Sequence, residues 1–179
     1  MIYIFLADGF EEIEALTCVD IIRRAGLNIK TVGVTGKTVN GAHGIKVIAD
    51  IEQKDVTTDD MEAIILPGGM PGTLNLEKSP IVTAAINFCI DNKKLISAIC
   101  AAPSILGHLG HLKNINSTCY PGFENELKGA NLSKSKVCTD GEIITANGPG
   151  AASEFAFAIV NKLCSKEVEN KIRMSMCYE

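Results

Sequence analysis

No apolar run in this 179-residue sequence approaches the ~18 residues that a membrane-spanning helix requires, so no membrane partner is expected. Nor is there a basic cluster: 17 Lys and Arg against 21 Asp and Glu leave a formal net charge of −4. Phosphate binding draws on grouped cations, so nucleic acid is not expected as the main partner. The opening MIYIFLADGFEE has no basic n-region and turns acidic at Asp8, which does not fit a secretory signal. A soluble, cytoplasmic protein is the expectation. None of the cysteines (Cys18, Cys89, Cys100, Cys119, Cys138, Cys164, Cys177) forms a C-x-x-C pair, so neither a zinc knuckle nor a thioredoxin-type couple is indicated. Without a secretory signal, most should be reduced thiols buried as small hydrophobes, with one or two left to carry chemistry. No linker rich in Gly, Pro or Ser, no repeat and no low-complexity segment divides the chain. One domain over residues 1–179 is expected at this length.

What is present is an ordinary globular composition, 46% hydrophobic and 21% charged, in which short apolar runs alternate with helical patterns. The runs Ile2–Ala7, Ile29–Val34, Ala63–Leu66, Leu95–Ile99 and Ile143–Ala146 read as strands, with a further short one near Ser117–Tyr120. Helical spacing covers Glu11–Ala25 (stopped by Gly26), Leu74–Leu76, Ile81–Asn92, Ala102–Leu109 and Ala152–Leu163, with a small helix near Glu124–Lys128 and a short one in the tail. Lys37–Asp50, with Gly41 and Gly44 between β-type residues, reads as a hairpin. Continuous apolar strands between helices indicate a mainly parallel sheet covered on both faces. The fold class is therefore α/β, a doubly wound sandwich with a β-hairpin insertion. Ligands in such folds bind beyond the carboxyl ends of the strands, so the strand-end loops are where function is sought.

Three of those ends carry chemistry. The segment LISAICAAP (95–103) ends a buried strand at Cys100, with two small residues before a Pro that suits a first helical turn. A thiol on such an elbow lies beside the free N–H groups of the new helix, which favour thiolate and so predict a lowered pKa; the plainer reading is a buried cysteine closing a core strand. The segment LPGGMPG (66–72) places Gly68 and Gly69 where backbone N–H groups can point outward as an anion nest or oxyanion hole, or simply make a tight turn. It is not G-x-G-x-x-G and no G-K-[ST] follows, so it does not suggest a nucleotide cofactor. In the first helix Glu11 and Glu12 complement the helix dipole. Glu14 differs, because Cys18, Ile21, Ile22 and Ala25 continue its stripe, which points it into the protein. Burial raises its pKa and the dipole lowers it, and a buried carboxylate needs a partner, which a reactive Cys would supply. His108 and His111 lack a third ligand and read as helix-end surface, and His43 reads as a hairpin-turn residue. Neither a metal site nor a Cys–His dyad is assigned.

Taken together, ADGFEEIEA (7–15), LPGGMPG (66–72), AICAAP (98–103) and NGPGAASEFAFAIV (147–160) resemble the ThiJ/PfpI superfamily, in the branch of the parkinsonism-associated deglycase and its bacterial relatives. The resemblance runs in order over essentially the whole chain. It implies a flavodoxin-like fold and a homodimer. It implies further that Cys100 is the reactive cysteine, that Glu14 is the carboxylic acid contacting its sulfur, and that the N–H groups of Gly69 and Ala101 flank the thiolate, with Gly68 and Tyr120 beside the substrate. Where many members carry a histidine before a proline, this chain has Tyr120 before Pro121. A phenol is a poor base at neutral pH, which leaves proton transfer to Glu14. Ala101 stands where the protease-type branch has a histidine, which argues against a peptidase, and no downstream His-x-Glu suggests an amidotransferase.

The function so implied is a cofactor-independent enzyme acting on small α-oxoaldehydes such as methylglyoxal, or on their early adducts with proteins. Its substrate partner would be a small aldehyde or a glycated protein. An alternative uses the same thiol as a redox-responsive group that oxidises to the sulfinic acid and protects the cell with little turnover. A third is a binding or assembly module in which Cys100 does nothing.

Overall fold

The computed structural model describes residues 1–178. The chain opens with β1 (Ile2–Leu6), α1 (Glu12–Arg24) and β2 (Ile29–Gly33), then the antiparallel hairpin β3 (Thr38–Asn40) and β4 (Lys46–Ile48), and the two-residue β5 (Ile51–Glu52). Next come β6 (Ala63–Leu66), α2 (Gly72–Glu77), α3 (Pro80–Asp91), β7 (Leu95–Ile99) and α4 (Pro103–His108). The last part holds β8 (Asn116–Ser117), β9 (Asn131–Leu132), β10 (Val137–Asp140), β11 (Ile143–Ala146), α5 (Ala152–Leu163) and α6 (Lys166–Ser175).

Seven strands form one sheet in the order β10-β11-β7-β6-β1-β2-β5. Every pairing in it is parallel except β10 on β11. Successive side chains alternate between faces, so Ile2, Ile4 and Leu6 join the layer of α1 and α5, whereas Tyr3, Phe5 and Ala7 join that of α3 and α4. Burial on both faces is why these strands read as unbroken apolar runs. The expected flavodoxin-like α/β sandwich and its hairpin are thus observed. The tail helix α6 docks through Arg173, whose guanidinium lies 4.1 Å over the Phe157 ring and donates to Glu154 Oε1 of α5 at 2.8 Å.

Three expectations are corrected. The edge strands β5 and β10 are additional: β5 is two residues long and β10 is half-exposed, so neither shows a buried-strand pattern. Of the strand expected at Ser117–Tyr120 only Asn116–Ser117 pairs; beyond it the Thr118 N–H donates to the Thr145 hydroxyl at 3.0 Å, leaving the ladder. The helix expected at Glu124–Lys128 is a single 3₁₀ turn at Glu124–Glu126.

The chain leaves β1 for β2 on one side and later returns through β6 to β7 on the other. The switch in direction therefore falls between β1 and β6, the crevice in which open α/β sheets hold ligands. The carboxyl ends of β1, β6 and β7 lead to Glu14, the two glycines and Cys100 respectively.

Candidate active site

Cys100 follows β7 directly. Its N–H donates to the Ala146 carbonyl at 2.8 Å, which prolongs the ladder to β11, and its carbonyl accepts from the Tyr120 N–H at 2.8 Å. Held from both sides, it takes φ +66°, a left-handed conformation that non-glycine residues seldom adopt. Such a conformation costs about 1–3 kcal/mol and persists only where surrounding bonds impose it. The elbow turns the side chain out of the sheet and under the loop after β6, where the residue is 8% exposed.

Glu14 reaches the same point from the first turn of α1. Its side chain is fully buried, and Oε2 accepts the Gly68 N–H at 2.8 Å. Oε1 has no hydrogen-bond partner, and the carboxyl lies beside the Cys100 thiol, close enough for each to shift the other's pKa. The N–H groups of Ala101 and Gly69 lie near enough to the sulfur to favour its thiolate. Gly69 can do so because it adopts φ +91°, a conformation glycine takes without strain. Gly68 is required for a different reason. A Cβ there would stand 2.6 Å from Cys100 Cβ and 2.9 Å from Glu14 Oε2. The loops after β1 and β6 lock together, with the Glu11 N–H on the Gly68 carbonyl at 3.0 Å and the Gly72 N–H on the Gly9 carbonyl at 3.2 Å.

Burial raises Glu14 to about 7 against the opposing Gly68 bond and Cys100 thiol, with the charge of Glu11 adding to the rise. So burial wins the contest with the helix dipole. The expected lowering of the Cys100 pKa is overturned. Burial first, then the neighbouring Glu14 carboxylate, push the thiol up to about 12, although the Ala101 and Gly69 N–H groups pull the other way. The helix α4 begins only at Pro103 and is one and a half turns long, too little to offset desolvation. Glu14 and Cys100 titrate as a pair. Burial thus raises both members of the pair, the carboxyl to about 7 and the thiol to about 12.

Tyr120 is joined to the elbow by its backbone, and its ring, 46% exposed, lies over Gly148, where a Cβ would come within 3.2 Å of the ring. None of the histidines bonds the thiol. His108 bridges Glu77 and Glu126 on the surface, and His111 meets Asn87. His43 does more than turn the hairpin, because its Nδ1 lies 2.9 Å from Glu12 Oε2. Glu12 is the residue that sequence reasoning missed: it is 4% exposed and accepts the backbone N–H groups of His43 and Ile45. Its contacts lie more than thirty residues away, and nothing local distinguishes it from Glu11.

The DJ-1/PfpI family model matches residues 1–162. The chain is 33% identical over 175 residues to the zebrafish (Danio rerio) Parkinson disease protein 7 homolog, covering 95% of this chain and 93% of that one. It is 31% identical over 169 residues to the glutathione-independent glyoxalase DJR-1.2 of Caenorhabditis elegans, covering 93% and 90%. Among solved structures, oxidized DJ-1 of Toxoplasma gondii superposes with a TM-score of 0.95 at 32% identity, over 99% of this chain and 97% of that one.

Proposed function

This chain belongs to the DJ-1/PfpI family, and on that premise we propose that it is a cysteine-dependent, cofactor-independent enzyme acting on α-oxoaldehydes or their early protein adducts. The observation that carries this reading is the fully buried Glu14 carboxyl, held by the Gly68 N–H beside the Cys100 thiol and raised by burial to about 7. A glyoxalase among the relatives supports the reaction class. In the first step the Cys100 sulfur attacks the aldehyde carbon of methylglyoxal. An S–C bond forms, the carbonyl electron pair moves onto oxygen, and the thiol proton completes the hemithioacetal. The Gly69 and Ala101 N–H groups stabilise the oxyanion on the way. Glu14 then removes the hydrogen from the former aldehyde carbon, giving an enediol, and returns a proton to the adjacent carbon. The product is a lactoyl thioester on Cys100. Water cleaves it to lactate and the free thiol, so the net reaction adds one water to methylglyoxal. Gly68 leaves room for the substrate beside Cys100, and Tyr120 borders it on the exposed side.

The same site favours a second reading. The unpartnered Oε1 of a protonated Glu14 could donate to a sulfinate oxygen on Cys100, formed with two equivalents of peroxide, each of which leaves as water. Proton NMR of methylglyoxal with wild type and Cys100→Ser, in thiol-free buffer, separates the two. Lactate from the wild type alone is the expected result. No lactate from either overturns the enzyme reading; a gain of two oxygens at Cys100 under mild peroxide would then establish the redox one, and oxidation spread over several thiols would refute it.

The assembled form in this reading is a homodimer. Ile13 and Leu16 on α1 and Ile45 on the hairpin are exposed apolar side chains, and Ile13 and Ile45 line one hollow. Sedimentation should return the mass of two chains, and a single-chain mass would refute it. Among the described residues no helix is long and apolar enough to cross a membrane. Seven free thiols suit a reducing compartment, and the reading places the protein in the cytoplasm.

A further inference from the structure

We propose that His108 is a positioning residue of the site. As an imidazolium clamped between Glu77 and Glu126, it ties together the segments that carry the glycine loop, the Cys100 elbow and Tyr120, and it gives up one of the two carboxylates on losing a proton. The proposal rests on the reading of Glu14 and Cys100 as the reacting groups. His108 is the last residue of α4, the helix that starts three residues after Cys100. Glu77 is the last residue of α2, which starts three residues after Gly69 and is fastened to it by the Thr73 N–H on the Gly69 carbonyl at 2.9 Å. Glu126 closes the 3₁₀ turn that follows Tyr120, and the Phe123 N–H on the Tyr120 carbonyl at 3.0 Å joins the two. Each segment thus holds one part of the site at its near end and one corner of the ion cluster at its far end.

The geometry fixes the charge of the ring. Nδ1 lies 2.5 Å from Glu77 Oε1, and Nε2 lies 2.8 Å from Glu126 Oε2. An ionised carboxylate only accepts, so both nitrogens must carry hydrogen. Neutral imidazole carries one, and its other nitrogen would set a lone pair against an oxygen. The bonds to Glu126 and Glu77, with the charges of both, accordingly hold His108 above its ordinary 6.5. Both bonds are therefore complete below that ordinary value, and one is lost as pH rises through the raised one. Among the described residues these two carboxylates, one from α2 and one from the turn, are the charges that face the ring; α3 contributes Asn87, which meets His111 at 3.3 Å. The backbone beneath is close-packed. A Cβ on Gly107 would stand 2.9 Å from Leu127 Cα and closer still to the Glu126 carbonyl oxygen, so α4 lies directly against the turn. The three side chains are about a third to a half exposed, so the cluster adds little to global stability and acts on how the segments are set against one another.

The test follows imidazole and amide NMR signals of the whole protein from about pH 5.5 to 9, in wild type, His108→Gln and Glu126→Gln. The wild-type His108 ring should titrate with a midpoint above 6.5, and Glu126→Gln should lower that midpoint. The Tyr120 and Phe123 amides should move with the same midpoint, and that component should vanish in His108→Gln while any step from Glu14 remains. In lactate assays at about pH 7, His108→Gln should raise KM for methylglyoxal roughly two- to fivefold with kcat unchanged, the factor one exposed ion pair is worth. The gap should close as pH rises and the wild-type ring turns neutral, whereas a merely structural histidine would leave a gap that pH does not alter. The amide signals need no turnover, so an absence of lactate would count against the Glu14–Cys100 chemistry alone. A midpoint at or below 6.5, Tyr120 and Phe123 amides that ignore the His108 step, or a KM gap that is absent or does not change with pH would overturn the clamp.

Discussion

Glu14→Gln should lower kcat for lactate formation by about 10²–10⁴-fold, the contribution of a positioned general base, while leaving the protein folded. Glutamine keeps an oxygen for the Gly68 N–H, which now meets Glu14 Oε2 at 2.8 Å, but it cannot accept the substrate's carbon-bound proton. The wild-type kcat should rise with pH through about 7, as Glu14 gives up its proton, and then stay level, because the Cys100 thiol is held to about 12. In the variant this rise should flatten. Stability supplies a second readout. The Glu14 pKa moves from its ordinary 4.5 to about 7 on folding, so between these values the folded chain binds more protons than the unfolded one. Stability present below pH 4.5 is therefore lost as pH rises through about 7. Glutamine carries no charge to bury, so the variant should melt at or above the wild-type temperature at pH 8. Retained turnover, or a collapse in melting temperature, would remove Glu14 from its role.

Gly68→Ala is expected to damage the site by shape alone. Gly68 is outside the left-handed region, so alanine can adopt its backbone, and the whole effect comes from the methyl group. That methyl would stand 2.6 Å from Cys100 Cβ, 2.9 Å from Glu14 Oε2 and 3.1 Å from the Ala101 nitrogen. Overpacking of this kind costs about 1–3 kcal/mol, or a fall in Tm of roughly 2–12 °C for a domain of this size. Activity should suffer more. Relief requires the thiol, the carboxylate or the loop to move by a few tenths of an ångström or more, and a displacement of about 1 Å in a reacting group is worth ~10²-fold. Lactate assays and thermal melts on the same preparation check both figures. An alanine variant with wild-type turnover and an unchanged Tm would mean that the loop after β6 is looser than its hydrogen bonds imply.

The buried strands and the long helices were legible because their patterns are local. Ile2–Leu6, Ala63–Leu66 and Leu95–Ile99 are apolar throughout, and a strand buried on both faces leaves that trace whatever its neighbours. Glu14 could be picked out because Cys18, Ile21 and Ile22 continue its stripe, and all three are buried. The edge strand Val137–Asp140 left no such trace, since half of it faces water and its place follows from antiparallel pairing with Ile143–Ala146. Glu12 was illegible for a related reason. Its burial is created by a hairpin more than thirty residues away, and its local surroundings match those of Glu11.

By itself, then, the sequence determined the layered α/β architecture, the three strand ends at which chemistry gathers, and the identity of Cys100, Glu14 and the glycines as the groups to watch. Those follow from periodicity and from residue type, which act over a few positions. Only the tertiary structure decided how these groups affect one another. Hydrogen bonds from Ala146 and Tyr120 hold the Cys100 elbow, and Gly68 admits both side chains to one buried point. There desolvation outweighs the helix dipole, raising the carboxyl to about 7 and the thiol to about 12. The strength of a charge depends on the solvent left around it, and that is settled only when distant segments close over the site.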